Sequence, residues 1–148
     1  MYRAISVAHY IVEYCNSIGR GISNLKLQKI LYFVQAEFLV STADNSPCFS
    51  DAIEAWDFGP VVPNVYRQYK IYGSAMIPSN PNDEFLDFYE SIKPEHKKMI
   101  ESIVDEAANL TAYDLVQITH NQTPWKVAYR KGWNREITNQ SLLNYFKE

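Results

Sequence analysis

The run from Leu25 to Val40 limits what this chain can fold into more than any other stretch. Wound at 3.6 residues per turn, it carries two apolar stripes rather than one. Leu27, Ile30, Leu31, Val34 and Phe38 fall on one side; Leu25, Tyr32, Phe33, Ala36 and Val40 fall on the other. Polar residues are left in narrow seams, Lys26 with Glu37 and Gln28 with Gln35. A helix that is apolar on two faces has to be covered on both, so this one is expected at the centre, with other elements packed around it. Ser23 or Asn24 supplies the N-cap oxygen for its first free N–H groups.

At 148 residues, a single domain over 1–148 is expected, burying roughly 70% of the surface its unfolded chain exposes. No apolar run approaches the ~20 residues of a membrane span. No basic stretch leads into an apolar one at the start, so a secretory signal is not expected either. Cys15 and Cys48 are too few for a disulfide framework and read as reduced thiols of a cytoplasmic protein. The net charge of −3 and the lack of a long Lys/Arg cluster argue against nucleic acid as the main ligand. Eleven Tyr, seven Phe and three Trp are many for this length; such residues build cores and also the anchors of protein interfaces.

In chain order, Ala4, Val7, Ala8, Ile11 and Cys15 recur at helical spacing, and Gly19 stands where a left-handed C-terminal residue is wanted. After the central helix, 41–47 is loop by composition. Phe49 and then Asp51 to Phe58 predict one or two short strands, paired with Ala75-Met76-Ile77. Gly59-Pro60 is expected to break the strand, and Pro63 fits the first turn of a third helix whose inward face is Val62, Val65, Tyr66 and Tyr69, ended by Gly73. A polar link over 78–83 leads to two acidic, solvated helices, Glu84 to Ser91 and Pro94 to Ala108. Thr111 with Asp114 reads as a capping box for a helix to about His120. Thr123-Pro124 reads as N-cap and N1 of another helix, with Gly132 as its stop, and Thr138 opens a last helix carrying Leu142, Leu143 and Phe146. The resulting fold class is mainly α (α+β): a compact multi-helix domain about a central buried helix, with a small β-hairpin or short sheet.

Three blocks of the chain support a resemblance. Leu25-Lys26-Leu27-Gln28-Lys29-Ile30-Leu31-Tyr32-Phe33 resembles the signature helix of the Panacea domain, the SocA-like antitoxin family. Ile53 through Trp56-Asp57-Phe58-Gly59-Pro60 to Pro63 resembles that family's second block, and Leu115 through Thr119-His120 with Thr123-Pro124-Trp125 a third. The closing Tyr145-Phe146 is similar to the family's aromatic ending. The resemblance implies a mainly α domain with a small β element, in which Leu27, Leu31, Tyr32, Thr119, His120, Pro124 and Trp125 are structural. It implies an antitoxin of a two-gene toxin–antitoxin module in bacteria or their phages, pairing with a toxin encoded beside it. One member of the family is an adaptor that hands its toxin to an ATP-dependent protease, which sets the runner-up expectation. Many members carry a DNA-binding domain ahead of the Panacea domain; this chain starts almost directly at the first Panacea helix, which argues against direct operator binding.

Read for chemistry, the residues offer little. His120 is a conceivable general base, and a small hydrolase or nucleic-acid enzyme built on it is the alternative of another class. No nucleophile stands in a recognisable motif beside it, so a role holding the helix-to-helix corner is preferred. His9 and Glu13, four apart, would be only two metal ligands, and an exposed polar pair is expected instead. Cys15 reads as packing. Cys48, in or beside a loop, is open to reaction, although nothing nearby lowers its pKa. No glycine-rich phosphate loop, zinc-ligand pair or nucleophile elbow is present. No enzyme activity, cofactor or metal is therefore expected.

For binding, the segment from Glu54 to Pro60 puts Trp56 and Phe58 beside a Gly59-Pro60 break. Two readings stand together: the aromatics cap the central helix, or they contact a partner. Lys26, Gln28 and Lys29 on the helix beneath are expected either to pair with Glu54 or Asp57 or to present charge to that partner. With Tyr66 these complete the expected partner surface: Lys26, Gln28, Lys29, Glu54, Trp56, Phe58, Gly59, Pro60 and Tyr66. Lys126, Arg130, Lys131 and Arg135 give the last quarter a mild positive bias, whereas 83–106 is acidic; each is most simply a solvated face.

Overall fold

Helix α2 (Asn24–Ser41) is the rod that two apolar faces require, in a computed structural model that describes residues 1–80 and 88–147. Ser23 caps it, its hydroxyl accepting from the Lys26 N–H at 3.3 Å. Around it pack α1 (Ala4–Ser17), α3 (Pro63–Tyr69), α4 (Pro94–Glu106), α5 (Ala112–His120) and α7 (Asn139–Phe146), and also strand β2 (Gly59–Val61). Both stripes are covered: Leu27, Ile30, Leu31, Val34 and Phe38 are buried, and so are Tyr32 and Ala36 on the other side. Leu25, in the first turn, is the one exposed apolar residue of the helix, and Phe33 and Val40 are half-buried.

The remaining helices follow their local signals. The α1 stripe of Ala4, Val7, Ala8, Ile11 and Cys15 is buried, and Gly19 after it takes φ +73°. Thr111 and Asp114 form the reciprocal capping box of α5, and the Thr138 hydroxyl caps α7. Pro63 opens α3, a short 3-10 turn (Lys70–Tyr72) extends it, and Gly73 at φ +58° ends it. The chain is mainly α, with one small antiparallel sheet.

That sheet corrects several expectations. Its order is β2-β1-β3, with β1 being Ile53–Trp56 and β3 being Arg135–Ile137. The third strand is not 75–77; Met76 instead bridges Ser23, and the Ile77 N–H donates to Ile22 O at 2.9 Å. A three-residue strand reading Arg-Glu-Ile has too little alternation to be seen locally, and β1 is filled on that side by register with it: Ile53 opposite Ile137, Ala55 opposite Arg135. Gly59-Pro60 does not stop the strand structure but begins β2, with Trp56 opposite Gly59 and Ala55 opposite Pro60. An edge strand tolerates Pro60 because one side of its ladder needs no donor.

Two further boundaries shift. Helix α6 runs Thr123–Ala128 with Gln122 at the N-cap, so Thr123 and Pro124 are its first two residues. It stops before Gly132, which at φ +81° turns the chain between the bridged residues Arg130 and Trp133. Pro94 to Ala108 is α4 in substance, anchored by Ile100 and Val104. Half of the expected helix Glu84 to Ser91 and half of the link at 78–83 lie outside the described residues; residues 89–91, which are described, are not helical.

Candidate protein-binding site at the hairpin tip

Strands β1 and β2 are joined through Asp57 and Phe58, a loop that must be held if it is to present anything. Both loop residues keep negative φ, and the reversal is taken up by Gly59 at φ +104°. Glycine is required there a second time. A Cβ at Gly59 would stand 2.7 Å from Lys29 Cε and 2.9 Å from Thr119 Oγ1.

A ladder of three rings grips this turn from one side. His120, at the end of α5, stacks on Trp125 with centroids 4.1 Å apart, and Trp125 stacks on Tyr129 at 4.4 Å. Every ring donates a hydrogen bond to the turn. His120 Nε2 bonds Asp57 O at 2.9 Å, Trp125 Nε1 donates to Trp56 O at 2.8 Å, and the Tyr129 hydroxyl donates to the Asp57 carboxylate. A carbonyl can only accept, so His120 carries a proton on Nε2. That ring therefore ties α5 and α6 to the hairpin, and not merely to each other.

Helix α2 holds the same hairpin from beneath. Lys29, wholly buried, donates Nζ to Pro60 O at 3.1 Å. Gln28, at 1% exposure, accepts from the Val62 N–H at 2.8 Å and donates to Asn24 Oδ1; Asn24 in turn donates to Tyr66 O. Burial alone brings the Lys29 ammonium down to about 7, because no carboxylate among the described residues forms a salt bridge with it. Lys26 points the other way, donating to Ala107 O at 3.0 Å and Leu110 O at 2.7 Å, where a cation suits the carboxyl end of α4. The expected pairing of these residues with Glu54 or Asp57 is thus replaced by backbone carbonyls and amides. Gln28 and Lys29 are interior groups, and Glu54 instead accepts from Trp56 Nε1 at 2.9 Å.

What reaches the surface is aromatic. Phe58, at the tip, is 67% exposed and does not cap the central helix. Beside it opens a cleft of about 500 Å³, floored by Ala55, Val61 and Gln28 and walled by Trp56, Tyr66, Tyr129 and Trp133. Trp56 and Tyr66 meet edge to face at 5.0 Å, so that wall is rigid. Leu25 and Lys70 close one side of the cleft. Tyr32, Leu27, Leu31 and Thr119 are buried, and the Tyr32 hydroxyl donates to Gln122 Oε1 at 2.8 Å, ahead of α6. Pro124 is buried too, while Trp125 is half-buried through its place in the ladder. Tyr129 and Trp133 were not singled out as site residues from the sequence. Tyr129 lies four residues after Trp125, the spacing of neighbours on one helix face, and that was the available signal; Trp133 gave none.

Among the described residues no group of three His, Cys, Asp or Glu side chains is placed to hold a metal ion. Cys48 proves to be buried, and burial pushes its thiol up to about 12, which removes the reactivity that a loop position suggested. Cys15 is buried as well. His9 stacks flat on Tyr89 at 3.8 Å and Glu13 accepts from Ser79 and Asn80, so neither is a simple surface pair. No helix of the described residues is long and apolar enough to cross a membrane.

No solved structure matches the chain. The protein named Antitoxin SocA from Caulobacter vibrioides (strain NA1000 / CB15N) is 31% identical across 84% of this chain and 69% of its own length. The family model described as antitoxin SocA-like, Panacea domain, matches residues 27–126, which span most of α2, the hairpin and the start of α6. The chain belongs to the SocA-like antitoxin family built on the Panacea domain.

Proposed function

We propose that this chain neutralises a cognate toxin, encoded by an adjacent gene, by binding it directly through the hairpin tip and the cleft beside it. The observation that carries the reading is that side chains from three helices converge on one short turn whose exposed product is Phe58. His120, Trp125, Tyr129, Lys29 and Gln28 all direct hydrogen bonds to residues 56–62. A large apolar ring carried on so firmly held a turn spares the backbone-ordering cost when a partner arrives, which is what an interface anchor needs. Covering a toxin's active surface asks for no chemistry of the antitoxin's own, and the encounter belongs in the cytoplasm.

The test is rescue. The neighbouring open reading frame should be toxic when expressed alone and harmless when co-expressed with this chain. Phe58→Ala should abolish rescue and weaken the isolated complex by roughly 2 kcal/mol, with the melting temperature unchanged. Full rescue by Phe58→Ala would remove the hairpin tip from the interface. Rescue that disappears in a protease-deficient host would replace steric neutralisation with delivery of the toxin to an ATP-dependent protease. Loss of rescue in His120→Gln with toxin binding intact would favour chemistry at that ring.

A further inference from the structure

Next to the cleft, the chain between α6 and β3 builds a second hollow of about 650 Å³, lined by Arg130, Lys131, Trp133 and Arg135. Trp133 lines both hollows, which therefore adjoin at its ring. It is 69% exposed. The charges around it are uncompensated: among the described residues the one salt bridge is Arg3 with Glu90. Arg130 donates only to the Tyr129 carbonyl. Glu136 does not neutralise them, because it stands opposite Glu54 in the strand pair and alternation puts it on the other sheet face from Arg135. Asp57 is the one carboxylate of the cleft lining; it keeps its charge, but its oxygen is engaged by the Tyr129 hydroxyl. A mostly apolar cleft therefore adjoins a cluster of three cationic side chains at Trp133.

We propose that this composite surface takes an acidic polypeptide segment, with an apolar side chain seated in the Trp56–Trp133 cleft and its flanking carboxylates on Arg130, Lys131 and Arg135. The identity of that segment as part of the toxin rests on the function proposed above; the chemistry of the surface does not. Charge complementarity selects carboxylates, and Arg forks bind them in two-point fashion. The cleft selects protein over nucleic acid. Its volume and its aliphatic floor of Ala55 and Val61 suit side chains, whereas a strand of nucleic acid needs a cationic track longer than these three residues.

The experiment uses the full chain and probes of defined composition. These are a Glu/Asp-rich peptide of about ten residues with one central Leu, its Gln/Asn counterpart, and a thymidine oligonucleotide of similar length. Binding is followed by tryptophan fluorescence at low and high salt. The acidic peptide should bind at least about tenfold more tightly than the neutral one, and added salt should remove the difference. The Arg130→Glu/Lys131→Glu double variant should lose the preference, and Lys98→Glu, on α4, should keep it. Equal binding of the two peptides, indifference to the double charge reversal, or tighter binding of the oligonucleotide overturns the proposal. Because no probe is the toxin, these results stand apart from the rescue assay. A chain that rescues growth yet shows no acidic preference refutes this inference alone.

Discussion

Gln35 and Lys29 are six residues apart on the same helix, both are buried, and both fasten an extended segment to it, yet the two clamps are built on opposite physical terms. Gln35 accepts from the N–H groups of Cys48 and Phe49, at 2.8 and 3.1 Å, and donates to Phe49 O at 2.9 Å. It is a neutral amide whose donors and acceptor all find partners, far from the aromatic cleft. Lys29 brings three donors and a charge to a place that offers one acceptor, Pro60 O. The first clamp stabilises; the second costs free energy and stands directly under the candidate site. Burying an ammonium in this way is tolerated where it fixes one arrangement of the hairpin over others, a role in specificity rather than stability.

Variants of the two clamps break or sharpen that contrast. The largest loss should come from Gln35→Leu, which keeps the volume but strands two amides and a carbonyl in the interior. About 3 kcal/mol should disappear in chemical denaturation, and a loss under about 1 kcal/mol would mean water replaces the clamp. Lys29→Met should move in the other direction. At about pH 6 it should be roughly 2 kcal/mol more stable than the wild type, despite losing the bond to Pro60.

The pH dependence follows from the same group. Its pKa falls from 10.5 to about 7 on folding, so between those values the unfolded chain holds a proton that the native chain has released. Lys29 therefore makes wild-type stability rise as pH climbs through that window, with its full cost present below about 7. The Met variant should lack this rise, and its advantage should vanish by about pH 10. A destabilised Lys29→Met at low pH would show the charged clamp to be a net gain, ending the contrast.

Two smaller effects separate the holding of the turn from what it displays. Trp125→Phe keeps the stack but removes the donor to Trp56 O, at a partly hydrated carbonyl; about 1 kcal/mol is expected. Phe58→Ala should alter stability by less than about 0.5 kcal/mol, the ordinary result for an exposed side chain. A larger change would show Phe58 to be part of the fold.

Much of the frame was legible in the residues. The central helix showed itself through two stripes, and the caps at Ser23, Thr111 and Thr138 each lie within three residues of the amide they serve. Gly19 and Gly73 marked helix ends. The aromatic corner at Trp56 and Phe58 was read as either a cap on the central helix or a partner contact; Trp56 lines the cleft and Phe58 projects from the tip, which removes the cap for Phe58. The polar residues of α2 were harder. Pattern assigned Gln28 and Gln35 to a polar seam, which is by default wet, and left Lys29 as a polar group on a largely apolar element. Nothing within a turn or two of Lys29 announces that Pro60 will stand over it.

Periodicity and capping depend on neighbours in the chain, and for that reason the amino-acid order alone determined a mainly helical body wrapped about the 25–40 rod. Three things were decided only by tertiary structure: the third strand, the stack of His120, Trp125 and Tyr129 on one turn, and the burial of a lone ammonium. Each brings together groups from distant parts of the chain, as the bond from Trp125 to Trp56 does across 69 positions. A buried donor must find an acceptor wherever packing leaves one, so its partner is set by how the layers meet and leaves no local pattern to read.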